Sequence, residues 1–197
     1  MVKPVIGILG GSGFVGSYLS NELIKNGYAV RIITRKRENA RHLWLLPQSE
    51  IKVTKTFTKE ALSQVLDGCV AVVNLIGVLN EKWDNGKGFK AVHTDITENL
   101  LEACKRLDIP QLLQITALNA NKSEASHYLK SKNAAEAILL ANKAEKTIKA
   151  NRNGKATSLP QVTIIRPSVI FGARDSCTNR FHTLLKFSPP ILTLSID

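Results

Sequence analysis

Val5-Ile6-Gly7-Ile8-Leu9-Gly10-Gly11-Ser12-Gly13-Phe14-Val15-Gly16-Ser17-Tyr18-Leu19 is the stretch whose reading decides the fold. An apolar run of strand length meets a cluster of glycines. A helical pattern then begins, with apolar residues at Phe14, Val15, Tyr18, Leu19 and Leu23. The order is strand, glycine turn, helix. Glycines belong in such a turn when an anion must approach the backbone closely, because the free N–H groups and the positive end of the macrodipole lie at the helix start. Two registers overlap. Gly11-x-Gly13-x-x-Gly16 fits the dinucleotide fingerprint, and Gly10-x-x-Gly13-x-x-Gly16 is a second, wider spacing over the same turn. The candidate diphosphate cradle is therefore Gly10, Gly13, Phe14, Val15 and Gly16. A plain glycine-rich turn has the same composition; the strand-to-helix position favours the dinucleotide.

Downstream, Asn26-Gly27 is a stop signal and Ala29–Thr34 reads as a second buried strand. The chain about 20 residues beyond the glycine loop meets the adenosine ribose, where an acid would accept hydrogen bonds from the 2′-hydroxyl. Thr34-Arg35-Lys36-Arg37 stands there instead. A guanidinium at Arg35 suits a 2′-phosphate, so NADP(H) is expected in preference to NAD(H). A helix is expected over Arg37–Leu46, ended by Pro47. Ile51–Val53 reads as strand, Lys59–Leu66 as helix closed by Asp67-Gly68, and Cys69–Leu75 as a strand buried on both faces. The alternation predicts an α/β, Rossmann-like, doubly wound parallel sheet with helices on both faces and the ligand at the carboxyl ends of the strands. Asn74-Leu75-Ile76-Gly77 falls at such an end, which places Asn74 and Gly77 beside the groove.

A loop over Asn80–Lys90 leads into a helix over Phe89–Leu107, then a fifth strand at Gln111–Ile115 with Thr116 just past its end. The next helix opens near His127 and carries Tyr128 and Lys132, one turn apart on one face. An ammonium there is expected to lower the phenol pKa, so that Tyr128 exchanges a proton with a substrate oxygen which Thr116 orients. Val162–Arg166 reads as the sixth strand.

Composition bounds the function. With 197 residues, 44% hydrophobic and 22% charged, the chain suits one soluble domain. No apolar run reaches bilayer-spanning length, and the N-terminus lacks the order of a signal peptide. Cys69, Cys104 and Cys177 are odd in number and far apart, which argues against a disulfide framework or a metal cluster and for a cytoplasmic setting. Of the basic residues behind the net charge of +11 many are scattered singly, and two clusters stand out, Arg31–Arg41 and Lys143–Lys155. Aromatics do not interleave with these clusters, which argues against nucleic acid. Residues 142–160 read as a helix extension followed by a basic surface insertion, solvated or facing a partner subunit or anionic lipid.

The glycine loop, Asn74-Leu-Ile-Gly77, Phe89-Lys-Ala-Val-His93, Ile115-Thr-Ala-Leu118, Tyr128-x-x-x-Lys132 and Ile165-Arg-Pro-Ser-Val-Ile-Phe-Gly172 together resemble the extended and atypical short-chain dehydrogenase/reductase superfamily, the NAD-dependent epimerase/dehydratase type. With Glu81, Asp175 and Asn179-Arg-Phe181, they look most like the branch containing the nucleotide-binding accessory subunit of respiratory complex I and its bacterial relatives. The resemblance implies bound NAD(P)(H), the Gly10, Gly13, Gly16 register, a cofactor-side position for Pro167, and roles for Tyr128 and Lys132 in holding the nicotinamide ribose and moving a proton. The branch implies a structural or assembly duty in complex I, at the inner face of a respiratory membrane. The alternatives are an NADP-dependent oxidoreductase or nucleotide-sugar epimerase/dehydratase using Tyr128, Lys132 and Thr116, and a degenerate fragment without cofactor. Thr116 replaces the usual serine, His93 stands where catalytic relatives carry asparagine, and Thr56–Thr58 lacks the aspartate that often contacts adenine. Relatives of this kind continue well past the present sequence, so 173–197 reads as the start of a shortened substrate lobe with apolar surface at Phe187–Leu194.

Overall fold

The computed structural model describes residues 2–83, 85–122, 126–144, 149–150, 156–157, 159–175 and 178–187. The chain divides into two compact units, Met1–Pro167 and Ser168–Asp197. The division lies a few residues before 173, where the substrate lobe was expected to begin.

In the first unit β1 (Val5–Leu9), α1 (Phe14–Lys25) and β2 (Ala29–Thr34) are followed by a 3-10 segment, Arg37–Leu43. Then come β3 (Ser49–Val53), α2 (Lys59–Leu66) and β4 (Cys69–Asn74). The short α3 (Lys87–Phe89), a π-type turn (Lys90–Asp95) and α4 (Ile96–Arg106) run on into one another. β5 (Gln111–Ile115) precedes α5 (His127–Ala144), a small antiparallel pair β6 (Lys149–Ala150) and β7 (Ala156–Thr157), and β8 (Gln161–Ile165).

The main sheet has the order β3-β2-β1-β4-β5-β8, with every neighbour parallel. Side chains that alternate along the strands feed two cores. Leu9, Ile33, Val72 and Leu112 join Leu62, Leu100, Cys104 and Leu139 on one face. Ile8, Ile32 and Val73 join Ala40 and Leu43 on the other, against Leu19 and Leu23. Both faces are covered, which is why these strands read as continuous apolar runs. The chain runs outward from β1 to β3 and then crosses to β4, so the strand order reverses between β1 and β4. Doubly wound sheets hold their ligands at that reversal, outside the carboxyl ends.

Beyond one-residue shifts in β4 and β8, three boundaries differ from the sequence reading. The helix expected over Arg37–Leu46 is a 3-10 segment, because it buries only Ala40 and Leu43, three residues apart, rather than a stripe wide enough to seat an α-helix. The strand expected at Ile51–Val53 begins at Ser49, since pairing with Val30 and Arg31 recruits two polar residues onto the edge. The helix expected from Phe89 is entered through the π-type turn, which turns His93 and Thr94 inward.

The basic stretch 142–160 falls largely outside the described residues, as does the surface expected at Phe187–Leu194 beyond α6 (Thr178–Phe187). Within the second unit Asp175 caps α6, accepting from the Gly172 N–H at 3.0 Å and the Thr178 N–H at 2.6 Å.

Candidate functional site

The glycine turn sits where β1 and β4 part. Gly10 has φ +75°, and a Cβ built there would lie 3.1 Å from the Leu75 carbonyl carbon and 3.2 Å from the Ile76 nitrogen. Gly16 serves helix packing instead. A Cβ there would lie 2.5 Å from Gly11 Cα and 2.6 Å from the Gly10 oxygen, so α1 packs directly on the turn. Gly13 caps α1 in an extended conformation without a side-chain bond, and the first turn carries no acid. The opening N–H groups at Phe14, Val15 and Gly16 are those that a helix leaves to an outside acceptor. These residues fit a diphosphate: the backbone is stripped of side chains where an anion would rest.

A cleft of about 390 Å³ opens beside the turn. Gly10, Ser12 and Gly13 form one wall, Thr34, Arg35 and Asn39 a second, and Leu75 to Val78 a third, with Phe57 and Ile96 contributing apolar surface. Gly10, Gly13, Arg35 and Gly77 therefore meet at one cleft. Phe57 stands in the Thr56–Thr58 stretch that lacks an aspartate. Thr34 Oγ1 donates to the Lys36 carbonyl at 3.0 Å, folding the turn that carries Arg35.

Asn74 is not in the lining. It is buried, its Nδ2 donates to Gln114 Oε1 at 2.9 Å, and its Oδ1 accepts from the Ile76 N–H at 3.0 Å. Its work is to shape the turn that ends in Gly77. A Cβ at Gly77 would lie 3.2 Å from Lys132 Nζ and 3.7 Å from His93 Nε2. The cleft wall, Lys132 and His93 therefore converge on that glycine.

Tyr128 and Lys132 lie together on α5, with Nζ 5.9 Å from the centroid of the Tyr128 ring. Lys132 is only 4% exposed, and burial brings its pKa down to about 8. The expected depression of the Tyr128 phenol is not found. Burial raises it above the ordinary tyrosine value, because the phenolate is desolvated.

Thr116 is engaged within the protein. Its Oγ1 lies 3.4 Å from the Ile165 carbonyl, and its hydroxyl bonds the Glu136 carboxylate. Glu136 is buried, and Arg166 Nε donates to both of its oxygens at 3.0 Å. Burial pushes the Glu136 pKa up, but hydrogen bonds from Arg166 and Thr116 outweigh it and hold the carboxyl below its ordinary value. Thr116 thus belongs to an ion-pair network of buried Glu136 and exposed Arg166. The Pro167 carbonyl accepts from the Leu118 N–H at 2.8 Å, extending the pairing of β5 with β8; Pro167 does not line the cleft.

His93 and Ser131 carry what the sequence did not disclose. The Val78 N–H donates to His93 Nε2 at 3.1 Å, so that nitrogen bears no proton. His93 Nδ1 is then the protonated one, and it lies 2.8 Å from Ser131 Oγ. Ser131 passes its own hydrogen to the Tyr128 carbonyl at 2.6 Å. Burial and the Lys132 charge lower the His93 pKa to about 4, so the ring is neutral at neutral pH. Phe89 stacks on His93 at 5.7 Å between centroids, and Tyr128 meets His93 edge-on at 5.4 Å. The spacing of Phe89 and His93 was visible in the chain, but nothing local paired either with Ser131. Glu81 holds the approach to this cluster, accepting from the N–H groups of Gly86, Gly88 and Phe89 at 2.7, 2.9 and 3.3 Å. Among the described residues no three His, Cys, Asp or Glu side chains gather in a way that would hold a metal ion.

Comparison with known proteins gives the same outline. The model of the NAD dependent epimerase/dehydratase family matches residues 6–186. The mitochondrial NADH dehydrogenase (ubiquinone) 1 alpha subcomplex subunit 9 of Arabidopsis thaliana is 29% identical over 184 residues, covering 91% of this chain and 41% of that protein. Ceramide reductase of Caulobacter vibrioides is 25% identical over 193 residues, covering 98% of this chain and 55% of that protein. The chain thus spans about half the length of the curated relatives it matches. UDP-glucuronic acid 4-epimerase from Bacillus cereus, solved in complex with NAD, superposes with a TM-score of 0.73 over 92% of this chain and 61% of that one, at 20% identity. That likeness shows the fold.

Proposed function

This chain belongs to the NAD-dependent epimerase/dehydratase family, and from that premise we propose that it binds NADP(H) in preference to NAD(H) and serves a structural or assembly role linked to respiratory complex I. The observation that carries the reading is a contrast. The dinucleotide cleft is formed, while the groups that would move protons are closed on one another. Gly10 and Gly13 open the backbone, and Arg35 stands on the cleft wall with no carboxylate among its lining residues. Against this, both nitrogens of His93 are engaged, by Val78 and Ser131, so the ring has no free position to relay a proton. Thr116 is tied to Glu136, and the Tyr128 phenol is harder to ionise than an ordinary one. In this reading the first turn of α1 receives the diphosphate, Arg35 the 2′-phosphate, and Lys132 the nicotinamide ribose. Similarity to the complex I subunit of Arabidopsis thaliana supports the partner. No helix of the described residues is long and apolar enough to cross a membrane, which is compatible with a peripheral place on the inner face of a respiratory membrane.

A second reading, an NADP-dependent oxidoreductase or epimerase, is favoured by one observation: Lys132, with its pKa near 8, lies beside Tyr128. A nicotinamide nucleotide supplies hydride transfer when bound. Tyr128 would then protonate or deprotonate the substrate oxygen and Lys132 would hold that side of the site positive.

Calorimetric titration with NADPH and NADH tests the first reading. Tighter binding of NADPH, with a larger rise in Tm, is expected; no heat and no thermal shift with either nucleotide would mean a fold that has lost its cofactor. Recovery of complex I subunits with the affinity-purified protein supports the assembly role, and their absence from such preparations counts against it. A substrate-dependent change in nicotinamide absorbance that Tyr128→Phe abolishes would establish the second reading instead.

A further inference from the structure

Between β2 and β3 the chain builds a cationic ridge that ends in two exposed apolar side chains. Ala40 and Leu43 are buried and seat the 3-10 segment Arg37–Leu43 on the sheet. His42 Nε2 lies 2.8 Å from Ser17 Oγ, whose own hydrogen goes to the Gly13 carbonyl, so the ring donates and pins the segment to α1. With those anchors turned inward, Lys36, Arg37 and Arg41 point into solvent. Trp44 is 47% exposed and Leu45 96% exposed. The guanidinium carbons of Arg37 and Arg41 lie 5.7 and 5.8 Å from the centroid of the Trp44 ring. None of the ion pairs among the described residues takes up Lys36, Arg37 or Arg41.

An isolated apolar side chain on a surface needs no explanation. A tryptophan with two guanidiniums over its ring, followed at once by a leucine almost wholly in water, is a different arrangement. It matches the chemistry of a bilayer interface, where indole rings settle at headgroup depth, guanidiniums bond lipid phosphates and aliphatic tips reach the acyl boundary. A protein partner is the poorer fit, since two side chains on a turn fall far short of the ~800 Å² per partner that a standard interface buries. A membrane requires no complementary relief, and its negative surface potential draws in neighbouring cations. We propose that Trp44 and Leu45, collared by Lys36, Arg37 and Arg41, form a peripheral anchor for an anionic lipid surface. The proposal stands apart from the nucleotide reading, because none of these five residues lines the cleft, and it rests on and deepens the peripheral membrane place given above.

Co-sedimentation of the intact protein with large unilamellar vesicles tests it. Vesicles of phosphatidylcholine containing a minority of phosphatidylglycerol should carry the protein down at low salt, and pure phosphatidylcholine should not. The doubly substituted Trp44→Ser, Leu45→Ser protein should lose on the order of tenfold or more in vesicle affinity, as removal of buried apolar groups from an interfacial anchor implies. Its Tm should match the wild type, since both side chains are exposed. In a Trp83→Phe background, which leaves Trp44 as the reporter, emission should shift to the blue on binding and be quenched by brominated lipid. The proposal is overturned if the double variant sediments as well as the wild type, which would reduce binding to Coulombic adsorption. It is equally overturned if anionic vesicles fail to bind while immobilised polyglutamate does, which would point to an acidic protein.

Discussion

Acidification should draw on the order of 3 kcal/mol from the stability of the first unit through His93. The ring is neutral because the Val78 N–H occupies Nε2, and protonating that nitrogen would set two donors face to face across 3.1 Å. Burial, then the nearby Lys132 charge, lowers its pKa from 6.5 to about 4. The sign follows from linkage. Between these two values the unfolded chain binds a proton at position 93 and the folded one does not, so the contribution is fully present above about pH 6.5 and is lost as pH falls toward about 4. At about 1.4 kcal/mol per tenfold change in proton affinity, the gap amounts to about 3 kcal/mol. Urea denaturation midpoints through this range, for the wild type and for His93→Gln, isolate the effect, because carboxylates titrate alike in both. The wild type should show the steeper acid limb. At neutral pH, ¹⁵N shifts of the imidazole should report the tautomer protonated on Nδ1. Parallel acid limbs, or a proton on Nε2, would refute the reasoning.

Four substitutions probe the rest of the site. Gly16→Val sets a side chain 2.5 Å from Gly11 Cα, contacts that backbone cannot vacate; a loss of about 1–3 kcal/mol or more is expected by thermal unfolding, and an unchanged Tm would refute the close approach of α1 to the turn. Arg35→Asp should weaken NADPH by about 1.5–3 kcal/mol, the worth of a charge-assisted bond, and NADH much less; equal losses in calorimetry would remove the 2′-phosphate from Arg35. Glu136→Gln should cost about 1–3 kcal/mol in chemical denaturation, because the carboxylate that Arg166 and Thr116 share loses its charge and one of its two acceptor oxygens becomes a donor; a neutral result would mean that the pair is not integral to the fold. Gly77→Ala brings a methyl group to 3.2 Å from Lys132 Nζ, the movable end of a flexible side chain. It should therefore lower nucleotide affinity with little change in Tm, and the reverse pattern would count against Lys132 as part of the cofactor site.

What could be read along the chain was whatever burial imposes locally. Ala29–Thr34, Lys59–Leu66 and Gln111–Ile115 form over the residues their apolar patterns mark, because covered strands leave apolar runs and a helix with one buried face leaves a periodic stripe. Arg37–Leu46 misled because its helical composition lacks a second row of buried positions, and a 3-10 turn buries Ala40 and Leu43 well enough. Ser49 and Glu50 joined β3 through a neighbour's backbone rather than through any pattern of their own.

The site divides in the same way. The glycine turn, Arg35 past β2 and the pair Tyr128 and Lys132 are set by the sequence alone, since each depends on residues a few positions apart and on the period of a single strand or helix. Tertiary structure alone decided what those groups can do. Asn74 meets Gln114 from 40 positions away, His93 meets Ser131 from 38, and Arg166 meets Glu136 from 30. The ionisation of Tyr128, Lys132 and His93 depends on how much water these meetings exclude. Desolvation is a sum over everything packed around a group, and no spacing within the chain encodes it.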